Sequence, residues 1–213
     1  MSGWNAARID DAPKQLSLDL GMPLQRPKRM PAPPCRDVLF FAVLPTPAAA
    51  VRIAQRAERV RHQHGLHGWR RPTELLHVTL NPIGAYCGLP NDVLSAAIKV
   101  GSSVEVAPFE VTFDRVSSFR GIGRHPLVLR CSHGIAEMVT LQKILGAAML
   151  RIGLGSANRQ SFTPHVTLLY DRQSVPESNI GEPIVWAVGE FVLVHSLHGL
   201  SEHVHRARWP LRG

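Results

Sequence analysis

One four-residue string occurs twice in the chain, as His77-Val78-Thr79-Leu80 and as His165-Val166-Thr167-Leu168. Each copy sets an imidazole, which titrates near neutral pH, two residues before a hydroxyl. Two imidazoles around one gap can take one proton and give another. Two hydroxyls can hydrogen-bond the oxygens of a phosphoryl group while charge builds on them. Of the 11 histidines, only these two have threonine two positions on. The pairing therefore points to acid–base chemistry on a phosphate ester, with no metal or cofactor required.

Such chemistry needs both copies on strands that face each other. Valine and leucine favour the strand, and alternation sends them to one face and the histidine and threonine to the other. The imidazole and hydroxyl then lie roughly 6.5–7 Å apart along each strand.

The remaining elements read as a frame for these two strands. Residues 37–45 are a buried strand and 47–64 a helix that Pro47 opens and Gly65 and Gly68 end. Arg70-Arg71-Pro72 leads into the first histidine strand, about 74–81. A second helix runs from Asn91 to about Val100, stopped by Gly101. Residues 109–116 and 126–131 form a hairpin through the Arg120–Arg124 glycine turn. A long amphipathic helix over 134–152 follows, ended by Gly153 and Gly155. The second histidine strand covers about 163–171, and closing strands are expected at about 184–198, with a split possible at Gly189, and at 203–210. The first half thus runs strand–helix–strand–helix and the second reuses similar parts, so two lobes would each contribute one histidine strand.

Composition narrows the class. At 213 residues the chain suits one large domain or two small lobes. No run of eighteen apolar residues appears, so no membrane span is expected, and Asp10, Asp11 and Lys14 break any signal-peptide core. Three scattered cysteines suggest a reducing cytoplasm and no disulfide framework. A net charge of +8, with 20 arginines among 24 basic residues, suits a polyanionic partner such as nucleic acid or reflects an arginine-rich coding bias. Residues 1–36 read as a proline-rich basic tail before a two-lobed domain over 37–213. Within the tail, Gln15-Leu16-Ser17-Leu18-Asp19-Leu20 resembles short peptides that dock on the bacterial replication sliding clamp; a small strand or anchor on the folded body is the preferred reading.

The paired strings and their surroundings resemble the two-histidine phosphoesterases, in the branch of bacterial 2′-5′ RNA ligases and RNA 2′,3′-cyclic phosphodiesterases. The likeness spans nearly all of 37–210. It includes Leu39–Val43, Pro72–Leu80, Phe109–Phe113, Pro126–Arg130, Phe162–Leu168 and Phe191–Ser196. Asn81-Pro82-Ile83-Gly84 departs from the basic-aromatic-leucine-glycine turn of many members, which bears on the cleft rim and substrate preference.

The resemblance implies an α+β, bilobal, pseudo-symmetric fold, with antiparallel sheets lining a central cleft and helices outside. It implies hydrolysis of RNA 2′,3′-cyclic phosphate ends to 2′-phosphomonoesters, with reversible 2′-5′ ligation in some members. It makes His77 the acid toward the 3′ oxygen and His165 the base for water. Arg70, Arg71, Arg130, Tyr170 and Arg172 are candidate contacts to phosphate or base, or else solvated surface residues. A cytoplasmic monomer is expected.

Two rival classes stay in view. His62-x-His64, His203-x-His205 and His195-x-x-His198 have metal-like spacing, but no carboxylate or cysteine cluster accompanies them. A non-catalytic RNA-end or nucleotide binder, or a phosphodiesterase for a small cyclic nucleotide, would keep the same cleft.

Overall fold

The computed structural model describes residues 37–154, 162–197 and 200–213. The proposed tail, the Gln15–Leu20 island, Gly155 and His198 lie outside these residues.

Among the described residues, eight strands and three α-helices follow in the order β1 (Asp37–Val43), α1 (Pro47–Gln63), β2 (Val78–Tyr86), α2 (Asn91–Ser102), β3 (Phe109–Ser118), β4 (His125–His133), α3 (Ile135–Arg151), β5 (His165–Asp171), β6 (Ser178–Val188), β7 (Glu190–Leu197) and β8 (Glu202–Pro210). They build two four-stranded antiparallel sheets, ordered β2-β1-β7-β8 and β5-β4-β3-β6. Each sheet carries one H-V-T-L string on an edge strand. That repetition is the pseudo-symmetry of a bilobal α+β fold.

The lobes are not the two halves of the chain. β1 pairs with β2 on one side and with β7 on the other, so the first sheet joins both ends of the described residues around the second. Three closing strands appear where two were expected, because Gly189 divides 178–197 between sheets. The residue pair Phe109 and Val188 ties β6 to β3, while Asp37 and Leu197 tie β7 to β1.

Alternation sorts each strand of the first sheet. Leu39, Phe41 and Leu193 face the main core, shared with Ile53, Ala57 and Val60 of α1 and Leu141 and Leu145 of α3. Phe40, Ala42, Val192 and Val194 form a separate apolar patch on the other face. The helices bind the sheets together. α1 meets β5 and β6 of the second sheet, and Arg52 pairs with Glu182 at 2.8 Å; α3 meets β2 of the first.

Two glycines act differently from the expected helix stops. Gly101 lies inside α2, where a Cβ would come within 2.4 Å of the Trp209 indole. Gly68 lies beyond α1, where a Cβ would sit 2.3 Å from the Tyr170 carbonyl oxygen. Both are close-approach positions. The first histidine strand also begins later than expected, because Thr73–Leu75 forms a 3₁₀ turn and β2 opens at Val78. Cys131 is free and Cys87 is disulfide-bonded.

Candidate active site

The two histidines are held by the same local device. His77 leaves the 3₁₀ turn with Nδ1 2.8 Å from the Leu75 carbonyl oxygen, and His165 opens β5 with Nδ1 2.7 Å from that of Thr163. A carbonyl only accepts, so in each ring Nδ1 carries the hydrogen and Nε2 keeps a lone pair for another partner. Each ring also rests on a phenylalanine, with centroids 5.0 Å apart for Phe40 and His77 and 4.9 Å for Phe119 and His165.

This apolar seat sets the protonation of the unliganded cleft. Burial pushes His77 down from 6.5 to about 3; the bond to Leu75 opposes this, and the charges of His203, Arg71 and His165 add to it. Burial lowers His165 as well, against its bond to Thr163. Both rings are therefore neutral at pH 7. The charge of His165 is felt at His77, consistent with β2 and β5 meeting across the cleft.

Thr79 stands opposite Ala42 and Thr167 opposite Val128. Partners in an antiparallel pair share a face, so both threonines flank an apolar cleft floor, and both are half-buried.

The approach to His77 is pinned to the other lobe. Asp171, buried at the end of β5, accepts hydrogen bonds from the backbone N–H groups of His67 (2.7 Å), Gly68 (2.6 Å) and Gln173 (2.9 Å). These donors hold its carboxyl below the usual carboxylate range, that of Gln173 most strongly. The Arg71 N–H then donates to the Leu168 carbonyl at 2.7 Å. Residues 67–71 thus run along β5 before the chain turns back to His77. Sequence reasoning missed Asp171, which looks like any acidic residue closing a strand.

Of the candidate contacts, Arg70, Arg71 and Tyr170 line a cavity of about 400 Å³ together with Trp69, Ser196 and His203; none of His77, Thr79, His165 and Thr167 lines it. The Arg71 guanidinium lies 5.8 Å above the Tyr170 ring. Arg130 is opposite His165 in the β4–β5 register, yet Glu177 pairs with it and with Arg115. Arg172 is exposed and does not line the cleft. His203 was noted only for its spacing. It lies 5.1 Å from His77, ring to ring, because it pairs with Ser196 on the cleft face of β7–β8.

Some of the histidines at metal-like spacing are bonded to other side chains. His62 meets Glu58 at 3.0 Å. His195 Nε2 donates to Asp37 at 2.6 Å, while its Nδ1 accepts from Arg206 at 2.9 Å. Among the described residues no group of three or more His, Cys, Asp or Glu could hold a metal ion. No helix among them is long and apolar enough to cross a membrane.

A family model described as the 2′-5′ RNA ligase superfamily matches residues 46–200, more than half of the chain and both H-V-T-L strings. The chain belongs to the 2′-5′ RNA ligase superfamily. Solved structures share the fold of this superfamily member. Escherichia coli LigT complexed with 3′-AMP is 23% identical with a TM-score of 0.68, covering 83% of this chain and 99% of LigT. TT0787 of Thermus thermophilus is 22% identical with a TM-score of 0.64, over 83% of this chain and 98% of its own. A structure described as a phosphoesterase is 23% identical, with a TM-score of 0.66 over 83% and 99%. No curated protein matches the chain. The superfamily makes this a phosphoesterase or ligase type of chain; at these identities the structures speak for its fold.

Proposed function

We propose that the cleft opens RNA 2′,3′-cyclic phosphates to 2′-phosphomonoesters, with His77, Thr79, His165 and Thr167 as the reacting set. The supporting observation is the doubled device: two imidazoles on opposed edge strands, each with Nδ1 tied to a carbonyl two residues upstream and Nε2 left for chemistry. Water attacks phosphorus as His165 Nε2 takes its proton. The bond from phosphorus to the 3′ oxygen breaks, and His77 Nε2–H protonates that oxygen. One P–O bond forms, one breaks, and one proton moves at each ring. A 5′-hydroxyl in place of water gives a 2′-5′ linkage instead.

His77 must hold a proton to act as the acid, although burial keeps it neutral at pH 7. The negative charge of a bound phosphodiester supplies the compensation, because a nearby anion favours the imidazolium. Substrate binding thus arms the acid. The threonine hydroxyls donate to the non-bridging oxygens, where charge accumulates.

A short oligonucleotide ending in a 2′,3′-cyclic phosphate, incubated with and without EDTA, tests this. The expected product is a 2′-phosphate end formed equally in both. A 3′-phosphate end, no turnover, or EDTA loss restored by zinc or manganese each overturns it.

A further inference from the structure

The cleft holds more positive and donor capacity than one reacting phosphate uses. Arg71 and His203 approach it from opposite lobes, Arg71 along β5 and His203 on β8. Each has a buried nitrogen with no hydrogen-bond partner, Nε of Arg71 and Nδ1 of His203. Buried polar atoms are costly to leave unpaired, and these two residues border the same 400 Å³ space.

No carboxylate among the described residues is bonded to either of them, in contrast to Arg130, which Glu177 neutralises. Glu202 also lines the cleft, but it is exposed and bonded to neither. The Arg71 backbone is fixed to Leu168 and its guanidinium lies over Tyr170, so the group is preorganised. The His203 ring, 5.1 Å from that of His77, is adjacent to the reacting centre and separate from it.

We propose that Arg71 and His203 form a second phosphate site, which takes the phosphoryl group on the 5′ oxygen of the nucleotide whose ribose carries the cyclic ring. The proposal rests on the cyclic phosphate chemistry above and names the part of the substrate that chemistry leaves unassigned. Ribose limits the separation of its 3′ and 5′ substituents to what rotation about the C4′–C5′ and C5′–O5′ bonds allows, so an anion at the second site helps to orient the ring at the first. Burial, with the charges of Arg71 and His205, pushes His203 down to about 4, so the ring is neutral at pH 7 and offers the anion one N–H.

The second phosphoryl group has two possible sources, a 5′-monophosphate on a single nucleotide or the internucleotide phosphate of a strand. Three substrates separate them: adenosine 2′,3′-cyclic phosphate, its 5′-phosphorylated form, and the dinucleotide ending in the same cyclic phosphate. In the wild type, kcat/KM rises by about tenfold or more when a 5′ phosphoryl group is present, on the scale of one charge-assisted hydrogen bond. An advantage shared by both phosphorylated substrates means the site reads the phosphoryl group alone; one confined to the dinucleotide means it serves a strand.

Arg71→Ala and His203→Ala each bring the ratio close to one. The ratio is taken within one preparation, so it does not depend on the fraction folded. A wild-type ratio near one, or a ratio that survives in both variants, overturns the second site while leaving cyclic phosphate hydrolysis standing.

A titration without turnover covers the opposite case. Adenosine 5′-monophosphate binds the wild type at least tenfold more tightly than adenosine does, and His203→Ala loses that difference. If no cyclic substrate turns over yet this difference is present, the proposed reaction falls and the second site stands. If both are absent, both fall.

Discussion

An imidazole with one nitrogen tied to a carbonyl has a single nitrogen left for chemistry, and this chain makes that arrangement twice. The roles can be separated by leaving group, since only a poor one needs an acid. His77→Ala is expected to fail on cyclic phosphate and to recover on a nitrophenyl phosphodiester; His165→Ala fails on both. Recovery in His165→Ala instead swaps the roles. Thr79→Ala or Thr167→Ala should lower kcat by roughly ten- to a thousandfold, the scale of one lost oxyanion donor. An effect confined to KM would limit the threonines to ground-state binding.

Burial of His77 also predicts acid sensitivity. The unfolded chain binds this proton below about 6.5, whereas the folded one resists until about 3. Stability from this group is therefore complete above 6.5 and drains away as pH falls toward 3. The fall in Tm between pH 7 and pH 4 should be shallower in His77→Gln, and parallel curves would show that His77 titrates normally. These side chains were legible in the sequence, because a repeated histidine, hydroxyl and strand pattern is local. His203 was not, because its position depends on the register of β8 against β7, fixed by contacts that no short motif encodes.

At the scale of elements, the segment from His67 to Arg71 is the piece that decides where His77 points. Asp171 ties it down with charge-assisted bonds to backbone N–H groups. Asp171→Ala leaves buried donors unpaired and should cost on the order of 3 kcal/mol, with loss of activity. Asp171→Asn, which keeps a carbonyl oxygen, should recover part of both. Denaturant midpoints and kcat/KM report the two effects, and an unchanged midpoint in the alanine variant would show the clamp idle. Gly68→Ala brings a methyl against the Tyr170 carbonyl and should cost about 1–3 kcal/mol, an overpacking effect. The helices and the β3–β4 hairpin were readable from periodicity and turn residues. The start of β6 was not, since Gly181 and Pro183 interrupt it and strand pairing with β3 overrides them.

Across the whole molecule, one sheet is made from the two ends of the described chain, and the other from the stretch between. β1 finds its second neighbour only in β7, at a separation that reaches 160 residues between Asp37 and Leu197 (197 − 37). On a ribosome adding about 5–20 residues per second, that interval is roughly 8–30 s. The inner sheet can close first, while β1 and β2 wait with an open flank. A nascent chain stalled before β7 should therefore expose apolar strand edges and be caught by holdase chaperones, and one stalled after β8 has cleared the ribosome should not. The gap between the sheets then comes into being last, so a growing polypeptide that still lacks β7 and β8 would have no assembled cleft and none of the activity proposed above.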